Sequence, residues 1–112
     1  MQKFDYRAPR FSVDIPARLT TESSTQLGRC REISTEGMRL ELRLPLPPDS
    51  LGRVSMSYQS VTVELGVRVM RSEANFEGLK FLFECDEERN VIAHLVTLLA
   101  AAQRRPRPVL LS

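Results

Sequence analysis

For its first two-thirds the chain alternates apolar and polar residues. In FSVDIPARL (residues 11–19), Phe11, Val13, Ile15, Ala17 and Leu19 fall on one face, and Ser12, Asp14, Pro16 and Arg18 on the other. A period of two predicts a half-buried strand, and Pro16, lacking a backbone donor, restricts its own position to an edge or a bulge. A polar loop, TTESSTQLG (20–28), is expected next. RCREIS and GMRLELRL then alternate in two short runs broken by TEG, and PLPPDSLG (45–52), with three prolines and a glycine, reads as a loop. RVSMSYQ alternates through Val54, Met56 and Tyr58. VTVELGVRVMR (61–71) is the most strand-like segment because of its β-branched residues. EGLKFLFE closes the series with Leu79, Phe81 and Phe83 on one side.

The period then changes. From Asp86, an expected N-cap with Glu87 and Glu88 in the first turn, the residues Val91, Ile92, Leu95, Val96, Leu98, Leu99 and Ala102 recur at helical spacing. Arg104 and Arg105 suit the negative end of a helix, and Pro106 stops it. Such an apolar stripe must cover an open end or side of the sheet. Six short strands followed by one helix, without βαβ alternation, predict an all-β fold with a C-terminal helix, either an antiparallel barrel or a sandwich. The expected organisation is a flexible segment over 1–10, one β-domain with its helix over 11–103, and a basic proline-containing tail over 104–112.

Composition narrows the functional classes. The 112 residues suffice for one modest core. A net charge of +2 and only 6% aromatic residues argue against a nucleic-acid-binding barrel, which would need a basic face interleaved with stacking rings. Cys30 and Cys85 show no metal or redox spacing and are expected to be buried, reduced thiols. The N-terminus lacks an apolar export core, and VIAHLVTLLAAA is too short for a bilayer, so a cytoplasmic chain without membrane insertion is expected. As a monomer, or as a homodimer paired through the helix, it would satisfy the same pattern.

Catalytic chemistry finds little support. The single histidine, His94, lies within the helical stripe with no nucleophile motif beside it, and is expected to be satisfied by local partners. The carboxylates are scattered or fit the helix start, and no phosphate-binding glycine loop is present. Neither enzyme, metal site nor cofactor is expected. Binding chemistry is better represented. Arg7 and Arg10 in DYRAPRF precede the first strand, and Glu32, Ser34 and Gly37 are spaced E-x-S-x-x-G in EISTEGMRLEL (32–42). An arginine fork matches phosphate and the O6/N7 edge of guanine. A carboxylate can accept from guanine N–H groups. A serine hydroxyl and backbone amides beside a glycine can seat phosphate or base. Together they suit an anionic purine nucleotide, although arginines flanking a strand and a tight STEG turn would also satisfy ordinary surface chemistry.

These motifs resemble the PilZ domain family, the bacterial receptor module for cyclic di-GMP, across residues 5–102. Arg10-Phe11 entering the first strand, Ser34 and Gly37 in the second motif, and Gly78, Leu79 and Phe81 in the late hairpin carry the resemblance. It implies a six-stranded antiparallel, Greek-key-like β-barrel capped by one helix. Two positions depart from the pattern: Tyr6 stands where the first arginine of R-x-x-x-R belongs, with Arg7 one residue late, and Glu32 replaces Asp or Asn. The resemblance implies a single-domain receptor for cyclic di-GMP that signals to a protein effector in motility, biofilm or exopolysaccharide control. Arg7, Arg10, Glu32, Ser34 and Gly37 would be ligand-binding, with Tyr6 stacking on guanine and Arg71 or Arg39 on the ligand side. The alternative is a degenerate adaptor, for example in type IV pilus assembly, that acts through protein contacts alone.

Overall fold

The computed structural model describes residues 8–104. Tyr6 and Arg7, most of the expected N-terminal segment, and the tail beyond Arg104 lie outside the described residues. Six strands and one helix follow in order: β1 (Phe11–Thr21), β2 (Thr25–Ile33), β3 (Gly37–Glu41), β4 (Leu51–Tyr58), β5 (Val61–Glu73), β6 (Phe76–Leu82) and α1 (Asp86–Arg104). All neighbours are antiparallel, and the order β1-β2-β3-β6-β5-β4 closes on itself, so the structure is the six-stranded barrel with a C-terminal helix. Closure removes the unpaired edges that an open sheet would expose.

The alternating residues fill the interior. Ile15, Ala17 and Leu19 of β1, Val54 and Met56 of β4, Val63, Leu65, Val67 and Val69 of β5, and Leu79 and Phe81 of β6 are all buried. Each large aliphatic side chain removed from water stabilises the barrel by roughly 1.5–3 kcal/mol. Helix α1 buries Ile92, Leu95 and Leu99 and packs on β5 and β1. It lies where β1 lacks a second partner, because β1 pairs with β4 only over Ala17–Thr21. There the Gln103 amide donates to the Ser12 carbonyl at 2.8 Å. Pro16 falls just beyond the β4 pairing and beside an irregularity between Ser12 and Ile15, where its missing donor costs nothing.

Several local expectations are corrected. The polar stretch 20–28 is mostly strand: Thr20 pairs with Thr25 and Leu19 with Gln26, leaving Glu22–Ser24 as the turn. Their polarity reflects the outward ends of a hairpin, not a loop. β3 stops at Glu41, three residues short of the alternating run, where the chain leaves to cross the barrel end. Cys85 is exposed, because it stands outside both the sheet and the helical stripe; Cys30 is buried, which pushes its thiol pKa up to about 12. Cys85 also takes the cap position expected of Asp86, its carbonyl accepting from the Arg89 amide, while Glu88 reaches back to the Glu84 amide at 2.9 Å. His94 is exposed and has no hydrogen-bond partner among the described residues; it lies off the buried stripe of α1, beside Ser60, Val61 and Thr62 at the β4–β5 turn.

One polar side chain enters the core. Glu77 is fully buried, inward of β6, between Leu40 of β3 and Ser72 of β5. The Ser72 hydroxyl donates to its Oε2 at 3.0 Å, whereas Oε1 has no hydrogen-bond partner. Burial pushes its pKa above the ordinary 4.5, against the Ser72 hydrogen bond and the nearby Leu46 amide. A carboxyl whose pKa is raised by folding contributes stability below its unfolded pKa and loses that contribution as pH rises through the folded value. We therefore expect urea midpoints of the native protein to fall between pH 4.5 and neutrality. Glu77→Gln should flatten that fall and be the more stable protein at pH 7.5, by on the order of 1 kcal/mol; equal slopes would show a hydrated carboxyl.

Candidate functional site

The barrel's outer face is organised by two β-bulges. In β2, Cys30 pairs with Leu40 and Glu32 with Arg39, so Arg31 is an extra residue against β3. In β5, Val69 pairs with Leu79 and Arg71 with Gly78, so Met70 is the extra residue against β6. A bulge reverses which face the following side chains take. By alternation Glu32 would share the inner face of Cys30, and Arg71 that of Val69; after the bulges both face outward. Arg71 thus reaches the surface only through the bulge, since unbroken alternation from Val69 would turn it inward.

The result is one row across five strands. Ser12 of β1 pairs with Glu32 of β2, Glu32 with Arg39 of β3, Arg39 with Gly78 of β6, and Gly78 with Arg71 of β5. At about 4.8 Å per strand the row spans roughly 19 Å. It forms part of a broad groove of about 1200 Å³. Five cationic side chains (Arg10, Arg39, Arg71, Lys80 and Arg89) line it against three carboxylates, Glu32, Glu36 and Glu73. The chain's small positive charge is therefore concentrated here, where it attracts an anion. By contrast Arg29 and Arg31, on the neighbouring face, are paired with Asp14 and Glu41; the Asp14 pKa is lowered chiefly by its hydrogen bond from Arg29.

The sequence candidates fall at one end of this groove. Arg10 Nη1 lies 3.6 Å from Glu32 Oε1, an exposed pair worth at most about 1 kcal/mol. Ser34 holds the β2–β3 turn: its hydroxyl oxygen accepts from the Glu36 amide at 3.1 Å and the Gly37 amide at 3.3 Å, and its own amide donates to the Gly37 carbonyl at 2.9 Å. Those two amides are therefore committed to the turn. The turn is pinned to β6 by the Phe81 amide donating to Glu36. Gly37 has no positive φ; it is required because a Cβ there would collide with the Leu79 carbonyl oxygen of β6. Arg71 is the exception: it stands on β5 at the other end of the row, three strands from Glu32.

Sequence reasoning did not identify Lys80, Arg89 or the floor at Gly78 as site elements. Lys80 was legible as an outward position on β6. Arg89 was not, since it depends on how α1 docks. A Cβ on Gly78 would meet nothing closer than 3.5 Å, so the strand does not need a glycine there. Its consequence is an open floor between Arg39 and Arg71. Arg39 is held over the Phe76 ring, 4.1 Å from its centroid, which keeps the guanidinium beside that floor.

Comparison with known proteins bears directly on this arrangement. The sequence matches the PilZ domain over residues 5–101. The chain belongs to the PilZ family. No curated protein matches it closely. Among solved structures, the PilZ domain of CeSA from a cellulose-synthesizing bacterium shares 14% identity, with 83% of this chain and 99% of that one covered and a TM-score of 0.73. The K. pneumonia MrkH–c-di-GMP complex shares 20% identity, covers 95% of this chain and 56% of that one, and superposes with a TM-score of 0.74. Bacillus subtilis MotI/DgrA, an inhibitor of motility, shares 14% identity over 94% and 55%, with a TM-score of 0.71. This PilZ chain spans about half the length of MrkH and MotI. At these identities the likeness shows a shared barrel. No helix among the described residues is long and apolar enough to cross a membrane.

The two glycines separate fold from groove. Gly37→Ala should lower stability by about 1–3 kcal/mol, because β3 and β6 must part to admit the methyl group. Gly78→Ala should stay within about 0.5 kcal/mol of the native protein. Paired denaturant titrations check both, and equal losses would contradict the assignment of Gly78 as a free floor.

Proposed function

We propose that this PilZ domain is a receptor for cyclic di-GMP, bound on the outer face of the barrel along the Glu32–Arg39–Gly78–Arg71 row. The observation that carries the reading is that row itself: guanidinium groups on both sides of an unobstructed glycine floor, with an acceptor carboxylate at one end. The c-di-GMP complex formed by MrkH, a structural relative, supports the choice of ligand. Arg10 and Arg71 grip phosphate or the guanine Hoogsteen edge through bidentate hydrogen bonds. Glu32 accepts from guanine N–H groups. Ser34 and Gly37 act through the turn they hold, placing Glu32 and Arg39 on adjacent strands. Tyr6 and Arg7 contribute from the preceding segment, Tyr6 by stacking and Arg7 by charge.

No step in this reading makes or breaks a covalent bond, so the output is a changed surface. The Arg10–Glu32 contact engages a single nitrogen at 3.6 Å, so most donors of the Arg10 guanidinium are free for the ligand. The segment before β1 then closes over the nucleotide and alters the face offered to a protein effector in the cytoplasm. The processes this receptor would control are motility, biofilm or exopolysaccharide production, a reading that the likeness to an inhibitor of motility supports.

Calorimetric titration with cyclic di-GMP should give low-micromolar binding. Arg10→Ala and Arg71→Ala should each weaken it by about one to two decades, the worth of a charge-assisted bidentate contact. Gly78→Ala should weaken it without loss of fold. No heat up to about 100 μM from folded protein would sink the receptor reading. The groove would then belong to a protein-binding adaptor, for which an Arg10–Glu32 pair and a closed turn already suffice.

A further inference from the structure

The groove does not end on the barrel. Its far wall is α1, whose Arg89 and Ala93 face the same space as Arg10 and Lys80. Phe83, just past β6, carries the Arg89 guanidinium 4.5 Å above its ring centroid. A guanidinium so placed keeps its in-plane donors free, because stacking uses only its face. Arg89 is exposed, and among the described residues no carboxylate lies within ion-pair distance of it. Its acidic neighbour Glu88 is turned to the Glu84 amide. Adjacent positions on a helix do not face each other in any case.

We propose that Arg89, presented by the Phe83 ring, is a further ligand-binding residue, and that through it α1 senses occupancy of the groove. This rests on the receptor reading above and adds to it a contact from outside the barrel and its N-terminal segment. Arg89 donates to a phosphate oxygen or base edge of the nucleotide while its second face stays open to a purine ring. Because Arg89 lies at the start of α1, a bond to the ligand also holds the first turns of the helix against the barrel. Those turns carry few anchors otherwise: Ile92 is the first buried residue of α1.

Two measurements on the full chain test this, with cyclic di-GMP as the probe. In calorimetry, Arg89→Ala should weaken binding about tenfold and Arg89→Lys less, with melting temperatures unchanged for both exposed substitutions. In hydrogen exchange, ligand should protect amides 89–93 in the native protein but not in Arg89→Ala at saturating ligand. Phe83→Leu, which removes the ring but not the charge, should give a smaller loss of affinity than Arg89→Ala. If native protein binds and Arg89→Ala binds equally well with the same helix protection, this inference falls and the receptor reading stands. If native protein does not bind at all, both fall.

Discussion

The side chains of a closed six-stranded barrel point alternately in and out, and every residue on the inner face must fit an apolar core. That parity is what the rest of this structure depends on. Arg31 and Met70, each an extra residue against one neighbouring strand, are the two positions where parity is reversed. The reversals bring Glu32 and Arg71 into one outward row with Ser12, Arg39 and Gly78. The β5 reversal also turns Ser72 inward, onto the carboxyl of Glu77. One inserted residue therefore sets a surface cation and a core hydrogen bond together, on opposite faces of the same strand.

The same parity explains what was legible in the chain. Five inward valines and leucines on β5, and the helical stripe of α1, announce themselves because burial imposes a period that no loop shares. The candidates around Arg10, Glu32, Ser34 and Gly37 were legible as motifs, and the structure brings them to one end of one groove. What lay beyond reading was relational. Nothing local distinguishes a bulged Met70 from an ordinary outward methionine, so the path by which Arg71 reaches the surface was not visible. Arg89 joins the groove only through the docking of α1. The hairpin of β1 and β2 looked like a loop because its outer end faces water on both sides, and composition there reports solvent, not backbone shape.

The site is held in readiness by weak and strong elements of different kinds. The turn of Ser34 and Gly37 is rigid: its amides are satisfied internally and its backbone is locked against Leu79 and Phe81. The Arg10–Glu32 pair is exposed and loose by comparison. Rigid backbone with exchangeable side chains suits recognition of an anion, because little order has to be created when it arrives. The Arg39–Phe76 and Arg89–Phe83 stacks work in the same direction, limiting the freedom of two long side chains without neutralising either.

Met70 itself illustrates how a strand can carry a spare residue. Its side chain is 55% exposed, so the fold does not depend on which residue stands there. Its backbone has no partner of its own on β6, since Val69 pairs with Leu79 and Arg71 with Gly78. Removing it would leave Arg71 directly after Val69, where ordinary alternation already turns Arg71 outward and Ser72 inward, so the same partners would be kept. A scan of single deletions would therefore find Met70 among the more dispensable positions of β5, whereas deleting an ordinary residue of the strand would turn its neighbours to the wrong face of the wall.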